Sequence, residues 1–165
     1  MPAVISDASP LIYLTHLGRF ALLRELHGSV LIPPAVWREV GERGAPRAEG
    51  RTLRAAVDEG WIKIESPSAV PPAAPALAQL GAGEREAIQL AFERHATLII
   101  DEAEGRAVAL QLGIKLSGTL GVLVEAKRRG LLTRVRPEVE RLIGETTFRL
   151  SENVRQHILQ LAGEL

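Results

Sequence analysis

The chain has 165 residues, 46% hydrophobic and 4% aromatic, with 20 Lys and Arg balancing 20 Asp and Glu and no cysteine. The missing cysteine excludes zinc–thiolate and iron–sulfur sites, thiol nucleophiles and disulfide frameworks, and zero net charge leaves any nucleic-acid contact to a local patch. One core suffices at this length, no stretch of about 18 uncharged apolar residues occurs, and no basic lead-in precedes Asp7, so a cytoplasmic protein with neither membrane span nor signal peptide is expected.

Along the chain, short apolar runs end abruptly at 3–6, 29–32, 61–64, 97–100 and 114–116, each the length of a buried strand. Helical patterns separate them: 11–26 with a break at Gly18, then 34–42, 51–59, 84–95, 103–112 and 119–129. Strands alternating with helices predict a parallel sheet covered on both faces. The stretch from Pro67 to Pro75 carries four prolines and reads as a surface connection. Beyond Gly130 the pattern is purely helical, with Pro137–Ile143 starting on a first-turn proline and Ser151 placed to cap Glu152–Ala162. The expected organisation is a single domain, an α/β core over 1–130 and a C-terminal helical extension over 131–165.

Aspartate is rare here: 17 Glu stand against three Asp, namely Asp7, Asp58 and Asp101. Asp7 and Asp101 each follow a strand run directly, and ligands of open parallel sheets bind outside the carboxyl ends of the strands. Either could instead cap the helix that follows it. For the helix after Asp7, however, Ser9 before Pro10 is the better cap, which leaves Asp7 without a structural duty. Carboxylates brought together by a fold repel unless a cation lies between them. Oxygen ligands without cysteine or paired histidines suit Mg²⁺ or Mn²⁺, as one ion or as two about 3.5–4 Å apart for attack on a phosphodiester. Glu39 at the edge of an apolar helical stripe and Glu84 in a first helical turn are further candidates, although each is also explained as a solvated or dipole-favoured acid.

Taken together, Asp7 in Ile5–Ile12, Glu39 in Pro33–Val40, Glu84 in Gly83–Ile88 and Asp101 in Leu98–Glu102 resemble the four acids of the PIN-domain nucleases, metal-dependent ribonucleases that include the VapC-type toxins. Gly118–Leu123 and Phe148–Ser151 resemble a branch of small PIN-like proteins. The resemblance spans nearly the whole chain and implies a three-layer α/β/α fold whose central parallel sheet has about five strands in the order 3-2-1-4-5. It also implies catalysis and metal binding by Asp7, Glu39, Glu84 and Asp101, RNA as substrate and a small antitoxin protein as partner. Two departures stand out. Glu84 is one methylene longer than the Asp often found in the toxins, and Glu102, which replaces the second Asp of this branch, is a fifth candidate metal ligand, the choice between Glu102 and Glu104 as the one that faces the cavity being left open.

Ser9, Arg106 and Thr119 are candidate substrate contacts. Their structural alternatives are an N-cap for Ser9 and Thr119 and, favoured for Arg106, an i, i+4 ion pair with Glu102. The basic run Lys127, Arg128, Arg129, Arg134 and Arg136 is a candidate phosphate contact or a helix C-terminal cation cluster. His16, His27, His95 and His157 fall near predicted helix ends without ligand spacing. No P-loop or dinucleotide fingerprint is present. The apolar excess from Leu11 to Leu26 predicts a two-fold dimer through the first helices. Two readings of function follow: a metal-dependent endoribonuclease, in particular the toxin of a toxin–antitoxin pair, and a catalytically inactive module that binds nucleic acid or a protein partner.

Overall fold

Each strand is three residues long, so the sheet depends on what covers it. A computed structural model describes residues 2–68 and 74–165. The strands are β1 (Val4–Ser6), β2 (Val30–Ile32), β3 (Ile62–Ile64), β4 (Thr97–Ile99) and β5 (Lys115–Ser117). They pair in parallel in the order β3-β2-β1-β4-β5. Alternation along the pleat sends Val4, Val30, Ile32 and Ile99 into one apolar core and Ile5, Leu98 and Ile100 into another. Ten α-helices among the described residues complete the layers: α1 (Ala8–His16), α2 (Leu22–His27), α3 (Pro34–Val36), α4 (Ala48–Glu59), α5 (Ala74–Leu77), α6 (Ala82–Arg94), α7 (Ala103–Gln111), α8 (Thr119–Arg128), α9 (Arg136–Glu145) and α10 (Glu152–Leu161). Helices α6 and α7 cover one face, and α1, α2, α4, α8 and α9 the other. The three-layer α/β/α architecture and the strand order are those expected. Residues 69–73 of the proline-rich connection lie outside the described residues.

Three local departures from the expected elements stand out. The helix over 34–42 is α-helical only at α3 and continues as a π-helix from Trp37 to Glu42. There the Trp37 ring lies along Gly41, where an added Cβ would come within 2.6 Å of it. The predicted cap Ser9 lies inside α1, because the helix begins at Ala8 with Asp7 at the N-cap position. His157 sits inside α10, away from the helix end where it was expected.

Most of the apolar excess of α1 and α2 is taken up within the chain, with Ile12 and Tyr13 left partly exposed. Leu11, Leu14, Leu17, Phe20, Leu22, Leu23 and Leu26 are all buried in the core that also takes Val139, Leu142, Phe148 and Ala162 from the C-terminal helices. Tyr13 meets Phe148 edge-on at 5.1 Å between ring centroids, Arg19 donates to Glu138 at 2.9 Å, and Arg141 donates to the Leu17 carbonyl at 3.3 Å. The basic run is also used internally. Glu164 takes Lys127 at 3.0 Å, caps α9 through the Val135 and Arg136 amides, and lies 4.0 Å from Arg134, while Glu125 takes Arg128 and Arg129. No helix among the described residues is long and apolar enough to cross a membrane.

Because Leu142 is wholly buried in this shared core, Leu142→Ala should cost about 2–5 kcal/mol of stability. Chemical denaturation checks this, and an unchanged midpoint would mean that the C-terminal helices contribute nothing to the core.

Candidate active site

The chain order reverses between β1 and β4, and the residues leaving their carboxyl ends are Asp7 and Ile100–Asp101. The Asp7 amide donates to the Ile99 carbonyl at 2.9 Å, which fixes Asp7 beside Ile100 at the top of the sheet. Asp7 is 3% exposed, and its side chain makes no capping bond to α1. Burial pushes its pKa up to about 7; the Ala8 amide opposes the shift, and the negative charges of Glu84, Glu39 and Glu102 add to it.

Glu84 comes from the first turn of α6. Burial again raises its pKa, assisted by Glu102, Glu104 and Glu39 and opposed by the Gly81 amide. Its Oε2 is buried and has no hydrogen-bond partner among the described residues. Two glycines make the crowding possible. A Cβ on Gly105 would stand 2.8 Å from Glu84 Oε2 and 2.6 Å from Ile100 Cδ1, and one on Gly83 would stand 3.5 Å from Asp7 Oδ1. Gly105 lies in the interior of a helix, where glycine costs about 1 kcal/mol relative to alanine. That cost was a legible sign of a packing demand which spacing arguments overlooked.

Glu39 is carried on the exposed side of the π-helix and Glu102 stands at the N-cap of α7; both act on Asp7 and on Glu84. Glu104 acts on Glu84. Glu86, unremarked in the sequence, ties the two acid-bearing helices together. It accepts the Ala35 amide at 3.0 Å and lies 3.7 Å from Arg38, joining α3 to α6.

Asp101 has different company. Its Oδ1 accepts the Thr119 amide at 2.8 Å and its Oδ2 accepts the Thr119 hydroxyl at 2.7 Å. Burial raises its pKa, while these bonds and the nearby Arg106 pull it down. Thr119 is therefore fully buried as the clamp on Asp101, and Gly118 takes the N-cap position expected of Thr119. Arg106 does not make the expected pair with Glu102. Its Nη1 donates to the carbonyls of Ile100 at 2.5 Å and Ser117 at 2.9 Å, groups at the end of the β4–β5 ladder that the i, i+4 rule does not consider. Gly118 leaves room for this knot, since a Cβ there would lie 2.8 Å from Asp101 Oδ1 and 3.1 Å from Arg106 Nη1.

A family model for the PIN domain matches residues 3–164. The chain belongs to the PIN-domain family. No curated protein matches it. PIN domains are a nuclease family and typically depend on divalent metal ions. The acids of this PIN chain suit such an ion. A carboxyl pushed to about 7 and a buried carboxylate oxygen without a partner are both relieved by a hard cation, and the donors available are oxygens. Among the described residues no three acidic or imidazole groups already close into one coordination sphere.

Asp7 gives this site a pH signature. Its folded-state pKa lies above the ordinary 3.8, so between pH 3.8 and about 7 the folded protein keeps a proton that the unfolded chain has lost. Metal-free stability therefore falls as pH rises through that window, by at most on the order of 4 kcal/mol from this group, and the loss is complete above it. In EDTA, Asp7→Asn should melt above the wild type near pH 8, by roughly 1 kcal/mol or more in stability, with the gap closing toward about pH 4.5. Parallel pH profiles for the two proteins would show that Asp7 is not held in a repulsive, desolvated site.

Proposed function

We propose that this PIN protein is a Mg²⁺- or Mn²⁺-dependent endoribonuclease that hydrolyses phosphodiester bonds of RNA, acting in the cytoplasm as the toxin of a toxin–antitoxin pair with a small protein antitoxin. The observation that carries the reading is the pair Asp7 and Glu84, two carboxylates forced together under burial at the chain reversal with Glu39 and Glu102 around them. A protein accepts such repulsion where something positive is meant to be held. When bound, a divalent ion there supplies an activated water and neutralises charge on the phosphate.

The chain's own residues have distinct parts in this reading. Asp7 and Glu84 hold the ion from β1 and α6, and Glu39 and Glu102 add negative charge from the π-helix and from the start of α7. Asp101 contributes from the β4 end, its carboxylate oriented by both donors of Thr119. Ser9, half-buried in the first turn of α1, remains a candidate contact to the substrate. The products are a 3′-hydroxyl and a 5′-phosphate, as the family resemblance implies.

Cleavage of a labelled single-stranded RNA in Mn²⁺ tests the proposal. Asp7→Asn and Glu84→Gln should each lose at least about 100-fold in rate while keeping the wild-type fold by circular dichroism. Cleavage that persists in EDTA, or in both variants, would contradict it. Calorimetry showing no Mn²⁺ uptake at millimolar metal would favour the non-catalytic binding module.

A further inference from the structure

Beyond Asp101, on the β5 side of the site, the carboxyl edge of the sheet opens into a cavity of about 520 Å³. Leu120 of α8 and Leu150, Val154 and Ile158 of the C-terminal segment form its apolar sides, and Asp101, Arg106 and Ser117 lie at its polar end. This is the size and make-up of a small-ligand site: apolar walls with a few fixed polar groups. Val154 is 44% exposed although it faces this hollow from a helix, an apolar side chain left without cover.

The charge at the cavity points to an anion. Arg149 lines it, and its Nη1 is held by the carbonyls of Thr146 at 3.2 Å and Phe148 at 2.9 Å rather than by a carboxylate. Those carbonyls fix the guanidinium without neutralising it. Lys127, Arg128 and Arg129 of the basic run, in contrast, pair with the carboxylates of Glu164 and Glu125, and Arg134 lies 4.0 Å from Glu164. Asp101 on the cavity wall has both oxygens occupied by Thr119 and a cation, Arg106, beside it.

Position narrows the ligand further. Asp7 leaves β1 and the cavity lies at β5, two strands away, which is about 10 Å at ordinary strand spacing. That distance suits a nucleotide neighbouring the one whose phosphate lies at the acids. We infer that the cavity is a nucleotide subsite that takes the base of a residue flanking the cleaved bond between Leu120 and Val154, with Arg149 on its phosphate. The inference rests on the ribonuclease reading and deepens it. A base stacked in a duplex cannot enter such a hollow, so the substrate is single-stranded or splayed at this position.

The subsite is tested in EDTA, apart from catalysis, by calorimetric and ligand-observed NMR titration with AMP, GMP, CMP and UMP. At least one should bind the wild type with a dissociation constant of roughly millimolar order, a strength suited to one nucleotide of a longer ligand. Val154→Trp fills the cavity from a surface position and should weaken that binding by about 10-fold or more at an unchanged melting temperature. Arg149→Ala should erase the preference for the monophosphate over its nucleoside. In Mn²⁺, Val154→Trp should raise KM for single-stranded RNA with kcat nearly unchanged. Failure of the wild type to bind any of the four nucleotides would overturn the inference and leave the cavity to a protein segment. Wild-type nucleotide binding by Val154→Trp, or a monophosphate preference kept by Arg149→Ala, would also overturn it. Neither result touches the ribonuclease reading, which stands or falls on Mn²⁺-dependent cleavage by the wild type and its loss in Asp7→Asn.

Discussion

A carboxylate that is 3% exposed, with three other acids and, among the described residues, no cation acting on it, is the condition to which the upper edge of this protein is built. Leaving such a group charged in the dry interior is costly, so in the absence of a counter-ion Asp7 stays protonated up to about neutral pH. The surrounding structure enforces the crowding. The ladder bond from Asp7 to Ile99 holds it in the sheet, Gly83 lets α6 approach, and Gly105 opens the pocket that Glu84 fills. Any cation that binds the folded state relieves this repulsion, so stability and metal binding are coupled through the same side chains.

The acids that gather at this edge of the sheet are not equivalent in their surroundings. Asp7 and Glu84 repel each other, Glu39 and Glu102 act from more exposed positions, and Asp101 is held by one hydrogen bond from Thr119 to each of its oxygens, with Arg106 nearby. Environments that push like groups apart are how one fold assigns different tasks to the same chemistry. Here the division follows the sheet: the mutually repelling pair lies at the β1 reversal and α6, and the acid clamped by Thr119 at the seam of β4 and β5. Arg106 closes that seam by bonding the carbonyls where the ladder ends.

The fold was legible in the sequence because a covered parallel strand leaves a short apolar run, and all five runs became strands. What escaped reading depends on contacts distant in the chain. Arg106 was matched with Glu102 because helical spacing is local, whereas its true acceptors appear only once β4 and β5 lie side by side. The leucines of α1 and α2 looked like an interface because a sequence does not say whether a partner or the chain's own last helices will cover them. The basic run looked available for RNA because Glu164, whose carboxylate pairs with Lys127, lies 37 residues beyond it. The π-helix under Glu39, along which the Trp37 ring lies against Gly41, is a geometry that no apolar periodicity encodes.

The C-terminal segment completes the core over α1 and α2 and also lines the cavity beside Asp101. The central claim, that Asp7 sits uncharged in a cluster awaiting a cation, is tested most directly by counting protons during Mn²⁺ binding. Calorimetric titrations in two buffers of different ionisation enthalpy give that number. The account predicts release of about one proton or more per protein near pH 6, falling toward none by about pH 8.5. Mn²⁺ binding with no proton release at either pH would contradict it.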